Sequence, residues 1–187
     1  SGARSFCLST WTCVLGDEME SLKKLLYYPD GVILASPSYG IEPTARMKNF
    51  LTDRFGLYSV YTSAMRGKYF VGLSTAGAVG APAVAKQLAR AFATGFFGRG
   101  YVSGSLGVHV GHDHPDSSWK QVRHAYKLGT RLADDIRTRR RYPLQNLVNR
   151  IITRLAVRPT ITRNIRENKE DRMKAVYATL SAEGLIQ

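Results

Sequence analysis

Two short segments of the chain combine small, polar and aromatic residues in a pattern suited to holding a flat ligand. The first, SPSYGIE at residues 36–42, follows an apolar run and precedes a proline. Tyr39 offers a ring for stacking, and Gly40 permits close approach of a ligand to the backbone. The alternative is an ordinary strand-to-helix loop in which Tyr39 packs on its own domain. The candidate binding residues in this segment are Ser36, Pro37, Ser38, Tyr39, Gly40 and Ile41.

The second segment is STAGAVGAP, residues 74–82, which consists almost entirely of small residues. Small side chains leave backbone N–H groups uncovered, so the loop is suited to a phosphate or to the polar edge of an aromatic ring. Loops of this kind are common after buried strands, and the stronger indication is that two of them fall at one predicted sheet edge. The candidate binding residues here are Ser74, Thr75, Ala76, Gly77, Ala78 and Gly80.

A histidine-rich segment, HVGHDHPD at residues 109–116, contains side chains that metals use as ligands. His109, His112 and His114 lie close together in sequence, beside Asp113 and Asp116. Their spacing does not match a recognised tetrahedral ligand arrangement, and a polar loop after a strand is the alternative. We therefore predict no metal site.

The chain has two cysteines, Cys7 and Cys13, with five residues between them. Two cysteines cannot form a disulfide scaffold, and this spacing is not a common zinc motif, so we interpret them as reduced thiols. No apolar run approaches the ~20 residues that a bilayer-spanning helix needs. The start of the sequence shows no secretory signal, and we predict a cytoplasmic protein.

The formal net charge of +13 is concentrated in one stretch of the chain. Residues 137–174 contain twelve Lys or Arg against three acids, a net of +9. Clustered positive charge indicates an anionic partner such as a nucleic acid, a membrane surface or a phosphate-bearing cofactor. A nucleic acid is the least favoured of these, because the stretch lacks interleaved aromatic residues and a reading motif.

Helices and short apolar runs alternate over the first three quarters of the chain. We predict helices at 17–28, 43–54, 82–94 and 117–137, with Asp17 capping the first and Pro43 opening the second, and strands at 31–37, 68–77 and 101–110. The apolar runs predict strands that are buried on both faces. Strict alternation predicts an α/β fold with a doubly wound parallel sheet and helices on both faces. Ligands bind such sheets beyond the carboxyl ends of the strands, where both candidate loops fall.

Beyond Arg137 the pattern changes to a basic, helical extension, and we divide the chain into a domain at 1–137 and an extension at 138–187. The periodicity from Pro143 to Val157 predicts an amphipathic helix with Arg150 and Arg154 on its polar side. We expect its apolar side to pack on its own domain or on a second subunit. Docking on a membrane surface or an acidic partner is the alternative. A last helix is predicted at 169–183, ending at Gly184.

The segment SPSYGIEPTARMKNFLTDR resembles the second flavin-binding segment of the NADPH-dependent FMN reductase family. The matching residues are Ser36, Pro37 and Tyr39, then Met47, Lys48, Asn49 and Phe50, and finally Asp53 and Arg54. GKYFVGLSTAG, residues 67–77, is similar to the third segment of that family. The region around the two cysteines and the tail at 158–184 resemble the iron–sulfur flavoprotein branch of the family.

This resemblance implies a flavodoxin-like fold with FMN across the strand ends and NADPH or NADH as the reductant. Electrons would pass to a small acceptor such as a quinone, a free flavin, or a nitro or azo compound. No catalytic side chain is predicted, because the cofactor carries the chemistry. We expect a homodimer or tetramer, because the cleft and the amphipathic tail both leave apolar surface to cover. The alternatives are a flavin-bound electron carrier without turnover of its own, and a basic nucleic-acid-binding protein.

The sequence departs from the family pattern in two places. The cluster loop of the iron–sulfur branch has about four cysteines, and a [4Fe–4S] cluster needs four ligands. Because this chain has two cysteines, with Thr10 where another would fall, we expect no cluster. The first strand and phosphate loop of the family are not evident, so we expect further residues or another arrangement to complete the sheet.

Overall fold

The computed structural model describes residues 7–12, 18–93, 95–110 and 119–186. In chain order the main elements are α1 (Met19–Tyr27), β1 (Gly31–Tyr39), β2 (Glu42–Pro43), α2 (Ala45–Asn49), α3 (Gly56–Tyr61), β3 (Tyr69–Ala76), α4 (Ala81–Arg90), β4 (Tyr101–His109), α5 (Trp119–Thr138), α6 (Leu147–Ile152), α7 (Arg158–Glu167) and α8 (Lys174–Ala182). Two π-helical turns connect consecutive helices, Phe50–Arg54 between α2 and α3 and Thr153–Val157 between α6 and α7.

The strands form one sheet in the order β2-β1-β3-β4. β1, β3 and β4 are parallel, whereas the two-residue β2 pairs with the end of β1 in the antiparallel sense. This arrangement confirms the predicted α/β fold with an alternating order and a parallel sheet. The carboxyl ends of β1, β3 and β4 therefore meet at one edge of the sheet, and their amino ends meet at the opposite edge.

Helices cover both faces of the sheet, as predicted. α4 lies on one face, where Val84 and Leu88 join a core with Phe55, Phe70 and other buried residues. The contact is close, because a Cβ atom on Gly72 of β3 would lie 1.9 Å from the carbonyl oxygen of Ala85 in α4. α5 covers the other face, and its Leu132 packs with buried residues of β3.

β1 contradicts the prediction that each strand is buried on both faces. Its residues alternate between buried and exposed, and Ile33 is 54% exposed whereas Val32 and Leu34 are buried. The reason is that α5 packs across β3 and β4 and approaches β1 at Gly31, where Ile136 lies against the backbone. Among the described residues, no helix covers the rest of that face. β3, which lies inside the sheet, is buried at most positions, as predicted.

The helix after β1 begins later than predicted. Pro43 belongs to β2 and pairs with Ser38, so it does not occupy the first position of a helix. Thr44 caps α2 instead, and its hydroxyl oxygen accepts a hydrogen bond from the N–H of Met47 at 3.3 Å. The predicted cap of the first helix, Asp17, lies outside the described residues, and Glu18 occupies the capping position of α1.

The basic extension contains more helix than predicted and has a different orientation. The expected helix at 143–157 begins at Leu147, and α7 was missed entirely. The prediction that the apolar side packs on its own domain is wrong, because the apolar side chains of this segment are exposed. Arg150 and Arg154 line a cavity, together with Leu147 and Ile151. Packing on a second subunit stays a prediction. The exposed apolar residues, each 42–80% exposed, are Leu144, Leu147, Val148, Ile151, Ile152 and Leu155.

The C-terminal helices share a core with residues from the start of the chain. Ile165, Val176 and Leu180 are buried together with Leu8. The indole N–H of Trp11 donates to the carbonyl oxygen of Ala175 at 3.1 Å and to Thr179 Oγ1 at 2.9 Å. Gly184 follows α8 with a φ of 66°, which confirms the predicted stop.

The division at residue 137 and the cytoplasmic location stay predictions. None of the helices in the described ranges is both long and apolar enough to cross a membrane.

Candidate functional site

The two candidate loops lie at the carboxyl edge of the sheet, where β1 and β3 end side by side. The parallel register places Ser36 opposite Ser74 and Pro37 opposite Thr75. On the far side of β3, Ala76 pairs with His109 at the end of β4. The sheet therefore brings the two predicted sets of residues to one place.

The loop after β1 is a tight hairpin turn formed by Gly40 and Ile41. Their φ angles are 58° and 67°, and the flanking pairs are Ser38 with Pro43 and Tyr39 with Glu42. A two-residue turn with both φ angles positive is the type that matches the twist of paired strands. Glycine adopts this conformation readily, whereas a β-branched isoleucine is strained in it. The turn leaves the side chains of Tyr39 and Ile41 exposed, at 70% and 56%.

The Ser36 hydroxyl has a structural task at this edge. Its oxygen accepts a hydrogen bond from the backbone N–H of Thr44 at 3.0 Å, and its O–H is 3.0 Å from the carbonyl oxygen of Pro37. Thr44 in turn caps α2. Ser36 thus fixes the start of α2 against the end of β1, and the hairpin turn lies between these two points.

The second loop is in direct contact with the first through Gly80. A Cβ atom on Gly80 would lie 2.8 Å from Ser38 Oγ and 2.9 Å from Ile41 Cα, and the residue has a φ of 97°. Both the close contact and the positive φ require glycine. The adjacency that the sequence predicted for the two loops is therefore a van der Waals contact between backbones.

The rest of this loop presents its backbone to solvent. Thr75, Gly77 and Ala78 are exposed, and a Cβ atom on Gly77 would meet nothing within 4 Å. Among the described residues, none of the turn and loop hydrogen bonds uses the N–H of Gly77, Ala78 or Val79. These groups are available as donors to a ligand.

Two buried hydroxyls at the same edge lack hydrogen-bond partners. Ser38 Oγ and Ser74 Oγ are both inaccessible to solvent, and neither has a partner within the described part of the chain. An unpaired buried hydroxyl costs about 1–3 kcal/mol relative to a paired one. The sequence predicted both serines as binding residues, and the structure adds that both hydroxyls are unpaired.

Two residues at this edge were not among the predicted ligand contacts. Val79 lies between the predicted Ala78 and Gly80 and is 64% exposed. The sequence suggests His109 as a metal ligand only, whereas the structure pairs it with Ala76 at the end of β4, beside the candidate loops. Within the described residues no group of three or more His, Cys, Asp or Glu side chains is arranged to hold a metal ion. His112, His114, Asp113 and Asp116 lie outside those residues.

The arrangement fits the flavin that the resemblance implies. A flavin ring has an apolar body and a polar edge, and this edge of the sheet offers exposed apolar side chains beside free backbone donors. Two charged groups nearby, Lys48 and Glu42, are paired with each other, with Lys48 Nζ 3.1 Å from Glu42 Oε2. The residues present are therefore compatible with a planar, partly polar ligand.

Cys7 lies half-buried in the helical turn at 7–10 and is not in a disulfide. Cys13 lies outside the described residues. The expectation that no iron–sulfur cluster forms stays a prediction.

Comparison with known proteins agrees with the geometry. The family model for NADPH-dependent FMN reductase matches residues 2–113, which include both loops and the three parallel strands. A relative named iron-sulfur flavoprotein, from Archaeoglobus fulgidus, is 35% identical over 130 residues, which is 68% of this chain and 56% of that relative. The family description implies FMN as the flavin and NADPH as the reductant. The chain belongs to the NADPH-dependent FMN reductase family.

Proposed function

We propose that this chain is an FMN-dependent NAD(P)H oxidoreductase that passes electrons from a nicotinamide cofactor to a small acceptor. One observation carries the proposal: the two loops meet at the carboxyl edge, where Gly80 lies against Ser38 and Ile41. The second loop exposes the backbone N–H groups of residues 77–79, which donate no hydrogen bond within the described part of the chain. Both loops lie within the span that matches the family.

The binding residues we propose are those of the two loops. Tyr39, Ile41 and Val79 offer exposed apolar surface for the body of the ring, and the N–H groups of residues 77–79 are donors for its polar edge. Ser38 and Ser74 lie in the wall of this edge, and their buried hydroxyls have no hydrogen-bond partner within the described residues. When bound, FMN supplies the redox chemistry by accepting a hydride from NADPH or NADH and passing two electrons onward.

The acceptor we propose is a small planar molecule such as a quinone, a free flavin, or a nitro or azo compound. The exposure of Tyr39 and Val79 supports this, because open apolar surface beside the ring gives a second planar molecule room to stack. We propose a homodimer or tetramer as the assembled form. The exposed apolar side of α6 supports self-association, since a contiguous apolar patch is usually covered by a partner.

The first experiment is an absorbance spectrum of the purified protein after incubation with FMN and removal of free flavin. We expect a bound oxidised flavin that bleaches when NADPH is added under nitrogen and recovers when an acceptor such as a quinone is added. Protein that retains no flavin would contradict the binding site. Bound flavin that NADPH does not bleach would contradict the reductase and favour a flavin-bound electron carrier without turnover of its own.

A pair of leucine substitutions tests the location of the site. Gly77→Leu places a side chain in open space at the loop, and Gly129→Leu does the same on α5 far from this edge, since neither glycine has a neighbour within 4 Å of a Cβ. We expect Gly77→Leu to raise the Kd for FMN at least about ten-fold, because the side chain fills the space beside the free N–H groups. Gly129→Leu should leave the Kd unchanged, and equal effects of the two variants would contradict the assignment.

A further inference from the structure

A cavity at the opposite edge of the sheet is formed by residues that the structure describes. Its volume is about 1100 Å³, and its walls include residues just before β3 and β4, the end of α5 and the segment 146–158. β3 has eight residues and runs from the cavity to the carboxyl edge of the sheet. At about 3.3 Å per residue, the cavity is roughly 25 Å from the candidate flavin site at that edge. A molecule bound there cannot exchange a hydride with a flavin at the carboxyl edge.

The lining of this cavity is strongly basic. Of the described residues that line it, nine are Lys or Arg, and Asp30 is the one carboxylate. Several cations are used in the fold: Lys68 Nζ donates to the carbonyl oxygen of Pro29 at 2.6 Å, and Arg99 donates to that of Tyr142. Arg66, Arg139, Arg141 and Arg154, by contrast, have neither a carboxylate nor a side-chain hydrogen-bond partner within the part of the chain that the structure describes.

Hydrogen bonds of tyrosine and glutamine side chains help to hold the basic connector between α5 and α6 in place. The Tyr142 hydroxyl donates to the carboxylate of the buried Asp135, at 2.7 Å and 2.8 Å from its two oxygens. The Tyr69 hydroxyl donates to the carbonyl oxygen of Arg140 at 2.9 Å. The side-chain amide of Gln145 bonds both the N–H and the carbonyl oxygen of Val102, at 2.9 Å and 2.7 Å. Arg99 and Arg150 also hold the connector, because they donate to the carbonyl oxygens of Tyr142 and Pro143. The four unpaired cations named above make no side-chain hydrogen bond to it within the described part of the chain.

The cations of the cavity are also crowded. Burial lowers the pKa of Arg99, and the nearby positive charge of Arg150 lowers it further. Like charges held close together repel, and this cost falls when an anion lies between them. Arg139 has a φ of 48°, in the left-handed region that an arginine seldom adopts. The fold therefore maintains this arrangement against both repulsion and backbone strain.

We infer that the cavity is a binding site for a small oligophosphate, such as inorganic triphosphate or the phosphate chain of a nucleotide. Guanidinium groups bind phosphate oxygens with paired, charge-assisted hydrogen bonds. The volume of about 1100 Å³ is slightly above the ~300–1,000 Å³ range of small-molecule pockets, so a small oligophosphate fits inside it. A small ligand is favoured over a nucleic acid because the cations converge on one concavity and do not follow a long surface groove.

The test is calorimetric titration of the protein with sodium triphosphate, with and without saturating FMN. We expect one site per chain, an affinity that falls as salt rises, and the same result with FMN present. The test variant is Arg141→Gln/Arg154→Gln, which removes two cavity cations whose side chains make no hydrogen bond to any described residue. The control is Arg123→Gln/Lys127→Gln, which removes the same charge from exposed positions on α5 outside the cavity.

We expect the cavity variant to weaken triphosphate binding at least about ten-fold and the control to change it less than about two-fold. Undetectable binding by the wild-type protein would overturn the inference, as would equal losses in the two variants. Much tighter binding of a 20-nucleotide single strand than of triphosphate, with sensitivity to both variants, would replace the proposed site with a nucleic-acid surface. Thermal unfolding of both variants checks that each remains folded.

Discussion

At the carboxyl edge of the sheet the candidate flavin site is made of backbone, whereas at the amino edge the oligophosphate cavity is made of long side chains. The carboxyl edge has small residues, free N–H groups and a contact at Gly80 that leaves no room for a side chain. The amino edge has arginines on a connector that tyrosine and glutamine side chains hold in place. The same three parallel strands support both.

The difference shows that the two sites depend on different physical features. A site made of backbone is fixed by how closely two chain segments approach, so an added methyl group disturbs it. A site made of arginines is fixed by the hydrogen bonds that anchor their segment, so loss of a single hydroxyl disturbs it. Substitutions of these two kinds should therefore affect the two edges independently.

The largest effect on stability is expected from Gly80→Ala. The added Cβ would lie 2.8 Å from Ser38 Oγ and 2.9 Å from Ile41 Cα, on a residue whose φ is 97°. We expect the free energy of unfolding to fall by about 2–3 kcal/mol and FMN binding to weaken, because the two loops must separate. Urea denaturation measures the first and flavin titration the second. Gly77→Ala is the control, and an equal loss in both variants would show that the loops are not in contact.

A smaller effect is expected from Tyr142→Phe at the opposite edge. The substitution removes the hydroxyl that donates to the carboxylate of the buried Asp135. We expect a loss of about 2 kcal/mol, because a buried charged acceptor loses its donor, together with weaker triphosphate binding and unchanged FMN affinity. Tyr126→Phe, at an exposed position of α5, should change none of the three. A Tyr142→Phe variant with altered FMN affinity would contradict the independence of the two edges.

The smallest effect is a fall in the free energy of unfolding at alkaline pH, which we expect from the ionisation of Tyr69 at the amino edge. Burial, and next the neighbouring Tyr101, raise the pKa of Tyr69 above its ordinary value of 10.0. The stabilisation from its neutral hydroxyl is therefore complete below pH 10 and is lost as the pH rises through the pKa of the folded state. Ionisation removes the hydrogen bond to the Arg140 carbonyl, and we expect wild type to lose about 1 kcal/mol more than Tyr69→Phe between pH 9 and pH 11.

Denaturation of wild type and Tyr69→Phe at the two pH values measures this difference. Tyr58, whose pKa burial raises to about 12, is present in both proteins and cancels in the comparison. A constant gap between the two proteins across this range would mean that the Tyr69 hydroxyl does not stabilise the connector.

The order of elements was predictable because its cause is local. Apolar runs such as VIL and YFVGL, bounded by glycine or proline, predict strands without knowledge of their neighbours. The exposure of Ile33 was not predictable, because it depends on how far α5 extends across the sheet. The sequence places Pro43 in a helix, because proline is common at the first position of helices. In the structure the Gly40–Ile41 turn reverses the chain, and Pro43 pairs with Ser38 in an antiparallel strand instead.

At the candidate site the sequence predicted which loops meet but not how. Small residues after two strands indicate a shared edge, whereas the contact of Gly80 with Ile41 depends on the positive φ of an isoleucine, which no local rule predicts. At the amino edge the sequence predicted the kind of residue but not where those residues meet. The excess of arginine was visible in the sequence, but its convergence on a cavity requires the turns at Arg139 and Asn146, both with positive φ.

The hydrogen bonds of Trp11 have a consequence for the time course of folding. The indole joins positions that are 164 and 168 residues apart in the chain. Closing a loop of that length costs conformational entropy before the contact contributes any stability, so such contacts form slowly. We expect the Trp11 environment to be among the last to form, after collapse of the sheet. Trp119 is 81% exposed and changes little, so intrinsic tryptophan fluorescence should follow the docking of the C-terminal helices.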